Sequence, residues 1–298
     1  MNYIVSENMV SIITVNYNGW KDTCELIASL KKHETLPYEV IVVDNASQGD
    51  DADKIVHAHP DVMVIRSKVN LGFAGGNNLG YRHAKGDYLF FVNNDVVVKS
   101  SVLSPLVQRL QNEQVGGVSP CILSLYKPDE VQYYGYCRMS RITLKHTTLP
   151  FDYSRRRDYM YAKETEVLHG AAMMFRRDVI EHVGCMSEIY FLFYEEFDWS
   201  YQMQAAGYKL FYEPASVVYH KEAMTLPKQT PLREYYLSRS RMIFARKNLK
   251  GMEKCLSCIY LSLLVMPVKF VGYVLHLRTR MAWKMLTGTI SGIFVPIR

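Results

Sequence analysis

Three carboxylates stand within four residues in Phe193-Tyr194-Glu195-Glu196-Phe197-Asp198-Trp199, with aromatic side chains on both sides. If a helix begins there, Glu195 and Asp198 share a face at i and i+3. An acid beside aromatic surface is poorly solvated and its pKa rises, which suits a general base working near neutrality. The same residues suit an ordinary helix start, because acids in a first turn favour the macrodipole. Asn93-Asn94-Asp95 offers a second chemistry. A carboxylate at a strand end can hold a divalent cation that bridges two phosphates, although Asn-Asn-Asp is also good turn chemistry. His220 closes the apolar run 215–219, where a neutral imidazole serves either as a metal ligand or as a structural histidine. The run 70–80, Asn-Leu-Gly-Phe-Ala-Gly-Gly-Asn-Asn-Leu-Gly, matches neither G-x-G-x-x-G nor a P-loop. Its glycines read either as a tight turn or as a close backbone approach to phosphate at a helix N-terminus.

These residues need elements to hold them. Short apolar runs predict strands at 10–15, 39–43, 62–65 and 88–92, and helical spacing predicts helices at 22–32, 50–58 and 76–84. Such alternation argues for an α/β fold, a doubly wound and mainly parallel sheet flanked by helices. The continuous Val/Ile runs mean that both faces of the sheet are covered. Three strands end in polar residues: Asn16 and Asn18, Asp44 and Asn45, Asn93 and Asp95. Open α/β sheets bind ligands at the carboxyl ends of their strands, so topology alone brings these residues to one edge. Residues 124–166, rich in Tyr and Arg and weakly periodic, read as loops and short strands carrying acceptor contacts.

The 298 residues are 49% hydrophobic and 21% charged, a globular composition that excludes a disordered chain. Six cysteines show no repeated spacing, and Cys255 and Cys258 lack the second pair that a zinc site needs. That usage predicts a reducing, cytoplasmic setting. Residues 1–10 lack the basic-then-apolar pattern of a signal peptide. Charge is uneven. From Pro227 onward thirteen Lys and Arg face only Glu234 and Glu253, while the rest of the chain is net acidic. A basic tail binds an anionic surface, and its apolar content favours lipid over nucleic acid. Residues 233–247 read as a basic amphipathic helix. Residues 255–268 and 270–277 are nearly uncharged, parted by Lys269. A spanning helix needs about 20 apolar residues. The run reaches that length only by tolerating Pro267 and Lys269. A segment in the membrane interface, with Arg278, Arg280 and Lys284 near headgroups, fits better than a span or a soluble hairpin.

The order of these motifs, with His169-Gly170-Ala171 between Asp95 and Glu195, resembles the family-2 inverting glycosyltransferases of the GT-A fold. The likeness is to their rhamnosyltransferase-like branch and covers about residues 9–250. It implies a GT-A catalytic domain at 1–226, with a mixed, mainly parallel sheet, and a C-terminal helical, membrane-associating region at 227–298. It implies that Asn16, Asn18, Asp44, Asn45, Asn70, Gly72, Phe73, Asn93 and Asn94 bind a nucleotide-sugar, a dTDP- or UDP-sugar, with dTDP-rhamnose favoured. Asp95 and His220 are implied as ligands of Mg²⁺ or Mn²⁺. Glu196 matches the second acid of a Glu-Asp pair, the general base, one methylene longer than usual. Glu195 is the second candidate, and Asp198 a structural or acceptor-orienting acid. Arg239-Ser240 stands where the family often has Arg-Asn. The implied acceptor is a lipid-linked glycan or a surface polysaccharide, met by a peripheral protein on the cytoplasmic membrane face. Two alternatives are a catalytically inactive nucleotide-sugar-binding module at the membrane and a nucleotidyltransferase. The latter needs a glycine- and Lys/Arg-rich first loop, which Asn16-Tyr17-Asn18-Gly19 is not. A nicotinamide oxidoreductase lacks its fingerprint.

Overall fold

The computed structural model describes residues 9–127, 130–136, 139–145, 160–221 and 229–297. The signal-peptide expectation falls largely and the 226/227 boundary wholly outside them, as do residues 128–129, 137–138 and 146–159 of the 124–166 stretch.

The first half follows the predicted alternation. It comprises β1 (Val10–Asn16), α1 (Trp20–His33), β2 (Tyr38–Asp44), α2 (Asp51–Ala58), β3 (Met63–Arg66), α3 (Gly72–Tyr81) and β4 (Tyr88–Val92). Strands β3, β2, β1 and β4 lie side by side and parallel. In this register Asn16 faces Asp44. The chain continues through β5 (Val96–Val98), α4 (Leu103–Leu110), β6 (Val115–Ser124), β7 (Val131–Tyr133), β8 (Lys163–Glu164) and β9 (Ala172–Arg176). It then runs through α5 (Arg177–Val183), α6 (Glu195–Ala205) and β10 (Lys209–His220). The sheet order is β3-β2-β1-β4-β9-β6-β10-β5, with β7 on β6 and β8 on β10. Strand β9 is antiparallel to β4 and β6, and β5 to β10, so the sheet is mixed.

Alternate residues of the strands feed two cores, because successive side chains point to opposite faces. Ile12, Val42 and Phe90 pack with Leu26, Leu30 and Leu106 of α1 and α4. Ile13, Ile41, Leu89 and Phe91 pack with Val179, Trp199 and Met203 of α5 and α6.

The helix expected at 76–84 instead runs from Gly72 to Tyr81, so the glycines lie inside it. Tight packing accounts for glycines within the helix. A Cβ on Gly76 would stand 3.0 Å from both γ-carbons of Val15, and one on Gly80 would stand 2.5 Å from Cγ2 of Ile13. Glycine's poor helix propensity is outweighed by the close seating of α3 on the sheet. Gly80→Ala is therefore expected to cost about 1–3 kcal/mol through overpacking, read as a lower denaturation midpoint. An unchanged midpoint would mean that Ile13 can move aside.

Beyond the sheet come α7 (Pro231–Asn248), α8 (Gly251–Ile259), a π-helical stretch (Tyr260–Val265), α9 (Met266–Leu275) and α10 (Thr279–Phe294). Helix α7 starts on Thr230, whose side chain caps Arg233 N, with Pro231 in the first turn. Its Met242, Ile243 and Phe244 join Tyr190, Tyr194 and Phe197 in a third core.

Candidate active site

The carboxyl ends of β1 and β2 meet in a polar knot. Asn16 is fully buried. Its Nδ2 faces Asp44 Oδ1 at 2.9 Å, Ser47 Oγ at 3.1 Å and Asp51 Oδ2 at 3.1 Å, and its Oδ1 accepts from the Thr23 hydroxyl at 2.8 Å. Asn16 therefore orients Asp44 from beneath. Ser47 also donates to Asp44 Oδ1 at 2.5 Å. Both described bonds fall on that one oxygen of a 7% exposed carboxylate, not on Oδ2. Exposed Asn18, in the left-handed region at φ 54, zips the two loops together. It accepts from Gln48 N at 2.6 Å and donates its own N–H to Ser47 Oγ at 2.9 Å.

Asn45 clamps the glycine run. Its Nδ2 donates to Asn70 Oδ1 (3.1 Å) and Gly72 O (3.0 Å), and its Oδ1 accepts from Leu71 N (2.9 Å). Asn70 Oδ1 in turn accepts from Gly72 N at 2.9 Å. Gly72 has φ 72, and a Cβ there would lie 2.2 Å from Phe191 O, so only glycine fits. Phe73 N donates to the same Phe191 carbonyl at 2.9 Å.

Asp95 and His220 meet because β5 pairs with β10, placing His220 opposite Val96. His220 Nε2 lies 3.2 Å from Asp95 Oδ1, and both residues are buried. Gln132 fixes the imidazole. Its Nε2 donates to His220 O at 3.3 Å, so its Oε1, 2.9 Å from Nδ1, accepts the ring proton there. Nε2 is then the ring nitrogen turned towards Asp95, so an imidazole nitrogen and a carboxylate oxygen face one point. A carboxylate oxygen and an imidazole nitrogen fit Mn²⁺, and two protein ligands leave positions for phosphate oxygens and water. No group of three or more His, Cys, Asp and Glu converges among the described residues. Asn93 Nδ2 stands 3.5 Å from His220 Nε2. Asn94 turns the other way, donating to Thr23 Oγ1 (3.1 Å) and Gly19 O (3.3 Å), so it braces α1 rather than facing a ligand. Lys221 ties the end of β10 to Asp22 and, at 2.7 Å, to Glu25.

Glu195 and Glu196 open α6, directly after Phe193 and Tyr194, both left-handed at φ 66 and 71. Two such residues in succession store about 1–3 kcal/mol each, which the surroundings must offset. Several contacts do so. Asn78 Nδ2 donates to Met186 O (2.8 Å) and Glu188 Oε1 (2.9 Å). Arg239 donates to Ile189 O at 2.8 Å and Ser240 to Leu192 O at 2.9 Å. Tyr236 stacks on Phe191 at 4.6 Å. Arg239-Ser240 thus holds the acid-bearing loop by its carbonyls.

Among the described residues, Oε2 of Glu195 and of Glu196 are each buried with no partner. A Cβ on Gly170 would stand 3.8 Å from Phe73 Cζ and 3.9 Å from Glu196 Cδ, so the glycine run, the His169 turn and the acid converge on one point. Desolvation pushes Glu196 up to about 7. Glu195 is driven well above the carboxylate range, first by desolvation and then by the Glu196 charge. Both carboxyls are thus pushed upward, and the pair keeps proton into the neutral range.

Asp198 points away from the Glu196 corner into α7. It is 1% exposed and accepts from Lys247 Nζ (2.6 Å), Asn248 Nδ2 (2.5 Å) and Tyr190 OH (3.3 Å), contacts that suit the structural side of the role expected of it. Asp198→Ala strands Lys247 and is expected to cost about 3 kcal/mol in urea unfolding while donor affinity is kept. Donor binding lost without a stability change would return Asp198 to the site.

Residues 11–184 match the family described as Glycosyl transferase family 2. The chain belongs to that family. Among its relatives, the low-salt glycan biosynthesis hexosyltransferase Agl10 of Haloferax volcanii is 26% identical over 65% of this chain and 61% of its own length. The dTDP-rhamnosyl transferase RfbF of Shigella flexneri is 23% identical over 82% of each chain. This family-2 chain spans only 44% of the polypeptide N-acetylgalactosaminyltransferase 3 of Taeniopygia guttata, at 27% identity. Among solved structures, GalNAc-T7 with UDP, GalNAc and Mn²⁺ superposes with a TM-score of 0.67 at 17% identity, over 95% of this chain and 56% of that one. The mannosyltransferase PcManGT of Pyrobaculum calidifontis, in complex with GDP-Man and Mn²⁺, gives 0.59 at 16% identity over 97% and 88%. These likenesses establish the GT-A fold for the family-2 chain. Gln132 carried no local signal of its own, since it acts through His220, distant in sequence.

Proposed function

We propose that this family-2 chain is an inverting hexosyltransferase that moves a sugar from a nucleotide-diphosphate donor to an acceptor hydroxyl. The observation that carries the proposal is Glu196, a carboxylate with a buried unpartnered oxygen at the point where Phe73 and Gly170 converge. Asp44 reads the base through Oδ2, and the α3 N-terminus, held by Asn45 and Asn70, faces the donor. Asp95 and His220 would hold Mg²⁺ or Mn²⁺, which supplies charge neutralisation for the departing diphosphate. Glu196 takes the acceptor proton as that hydroxyl attacks the anomeric carbon from the side opposite the diphosphate, so the configuration inverts. Glu195 stays protonated beside it and keeps the charge on Glu196. Similarity to RfbF over most of both chains supports dTDP-rhamnose as the donor. The catalytic domain is taken to end near residue 226. The basic, apolar region from 227 onward holds the enzyme to the cytoplasmic face of a membrane, where a lipid-linked or surface-polysaccharide acceptor is built.

A thermal-shift and donor-hydrolysis screen of dTDP-, UDP- and GDP-sugars, with Mg²⁺ or Mn²⁺, tests this. A cation-dependent response to dTDP-rhamnose is the expected result. A response to a different sugar replaces the donor, and folded protein that answers none overturns the transferase reading.

A further inference from the structure

Helices α8 and α9 with the π-helical stretch between them form one helix, Gly251–Leu275, of 25 residues and hydropathy 1.9, with 6% of its apolar window buried. At 1.5 Å per residue it is roughly 37 Å long, enough for a hydrocarbon core of about 30 Å. Its attachments oppose a crossing. Just before it, Asn248 is bonded to Asp198 and, at 2.8 Å, to Gln202. At mid-length Leu261 packs with Met242 and Phe244 of α7. Further along, Lys269 reaches Glu234, in the first turn of α7, at 3.3 Å. After the reversal at Leu277 (φ 56), Arg278 donates to Gln229, ahead of α7, at 2.9 Å. The helix is thus strapped antiparallel along α7 at both ends and in the middle.

Helix α10 covers α7 as well. A Cβ on Gly288 would lie 2.3 Å from Tyr235 O, and one on Gly292 would lie 2.6 Å from Arg239 O. Arg246 donates to Gly292 O and Val295 O at the end of α10. To stand the long helix across a bilayer, α7 with Arg233, Arg239, Arg241 and Arg246 would have to enter the hydrocarbon too, which is costly.

The outward face is apolar. Leu263 is 73% exposed, Val268 65%, Leu275 74% and Leu277 88%. The wider π-helical turn lets the neighbours Leu263 and Leu264 both point outward. Beside this face stand exposed Arg278, Arg280 and Lys284 with Trp283, 63% exposed. Basic residues with tryptophan at the edge of an apolar face match the headgroup layer of an anionic bilayer.

We infer that Gly251–Leu275 is an in-plane anchor, lying in one leaflet of an anionic lipid surface with its outer face immersed, and that it does not cross the bilayer. The inference rests on the proposed membrane association and is independent of the sugar transferred.

The test uses the full chain, flotation with phosphatidylcholine vesicles with and without phosphatidylglycerol, and alkaline carbonate washing of membranes from expressing cells. The expected result is flotation that needs phosphatidylglycerol, release by carbonate, and flotation reduced about tenfold in Leu263→Asp/Val268→Asp. Donor-induced thermal shift in that variant should equal wild type, showing that it is folded. Flotation without a donor shift in the wild type supports the anchor and removes the transferase reading alone. Three results overturn the anchor: carbonate-resistant retention, a double variant that floats like wild type, or a donor-binding wild type that does not float.

Discussion

Glu196→Gln is expected to lower kcat by about 10²–10⁴-fold and to leave the donor-induced thermal shift in place. Gln keeps the shape and one acceptor oxygen of the side chain but cannot take a proton. Glu196 sits in a desolvated corner against Phe73 and Gly170, with an oxygen that no described residue satisfies, so the lost function is proton acceptance and not anchoring. Wild-type kcat/KM should rise with pH and level off above about 7, as Glu196 loses its proton. The stability consequence has the opposite sense. A carboxyl whose folded pKa is raised binds its proton more tightly when folded, so stability falls as pH climbs from the unfolded value towards the folded one. Glu196→Gln removes that penalty and should raise the melting temperature above wild type at pH 8, with little difference at pH 4. Near-normal turnover in this variant would remove Glu196 as the base. Glu195→Gln then decides whether its neighbour does the work.

What could be seen in the sequence, and what could not, divides by the range of the contacts. Strands β1, β2 and β4 and their polar ends were legible because a Val/Ile run that stops at Asn16, Asp44 or Asn93 is a local signal. Strand β6 was not, because Gly116, Gly117 and Pro120 break its pattern, and it is held by pairing with β9 and β10. The start of α3 was misplaced for a related reason. Propensity counts Gly72 and Gly76 against a helix, while the contacts with Phe191 and Val15 that require glycine are made to residues distant in sequence. The acidic cluster could be found by composition, yet spacing could not say that Asp198 points into α7 while Glu196 faces Gly170. Arg239-Ser240 departs from the usual Arg-Asn, and its task became visible only once both side chains were seen on the carbonyls of 189 and 192.

Asp95→Asn is expected to lower turnover at 1 mM Mn²⁺ by a factor on the order of 10³, because in the proposed site the carboxylate would supply the anionic half of the cation's protein ligands. The amide keeps the size of the side chain, so the melting temperature should stay near wild type. Gln132→Ala provides the graded companion. It leaves Asp95 and His220 in place but frees the imidazole from the hydrogen bond that sets its tautomer. Loss of such an outer partner weakens metal affinity by about 10–100-fold, so Gln132→Ala should need more Mn²⁺ and recover its kcat when given it. Asp95→Asn should not recover. Mn²⁺ binding followed by electron paramagnetic resonance in the presence of dTDP reads the affinity without relying on turnover. Full activity in a chelator, or equal Mn²⁺ affinity in all three proteins, would show that Asp95 and His220 form an internal polar contact and that the diphosphate leaves with help from protein donors alone.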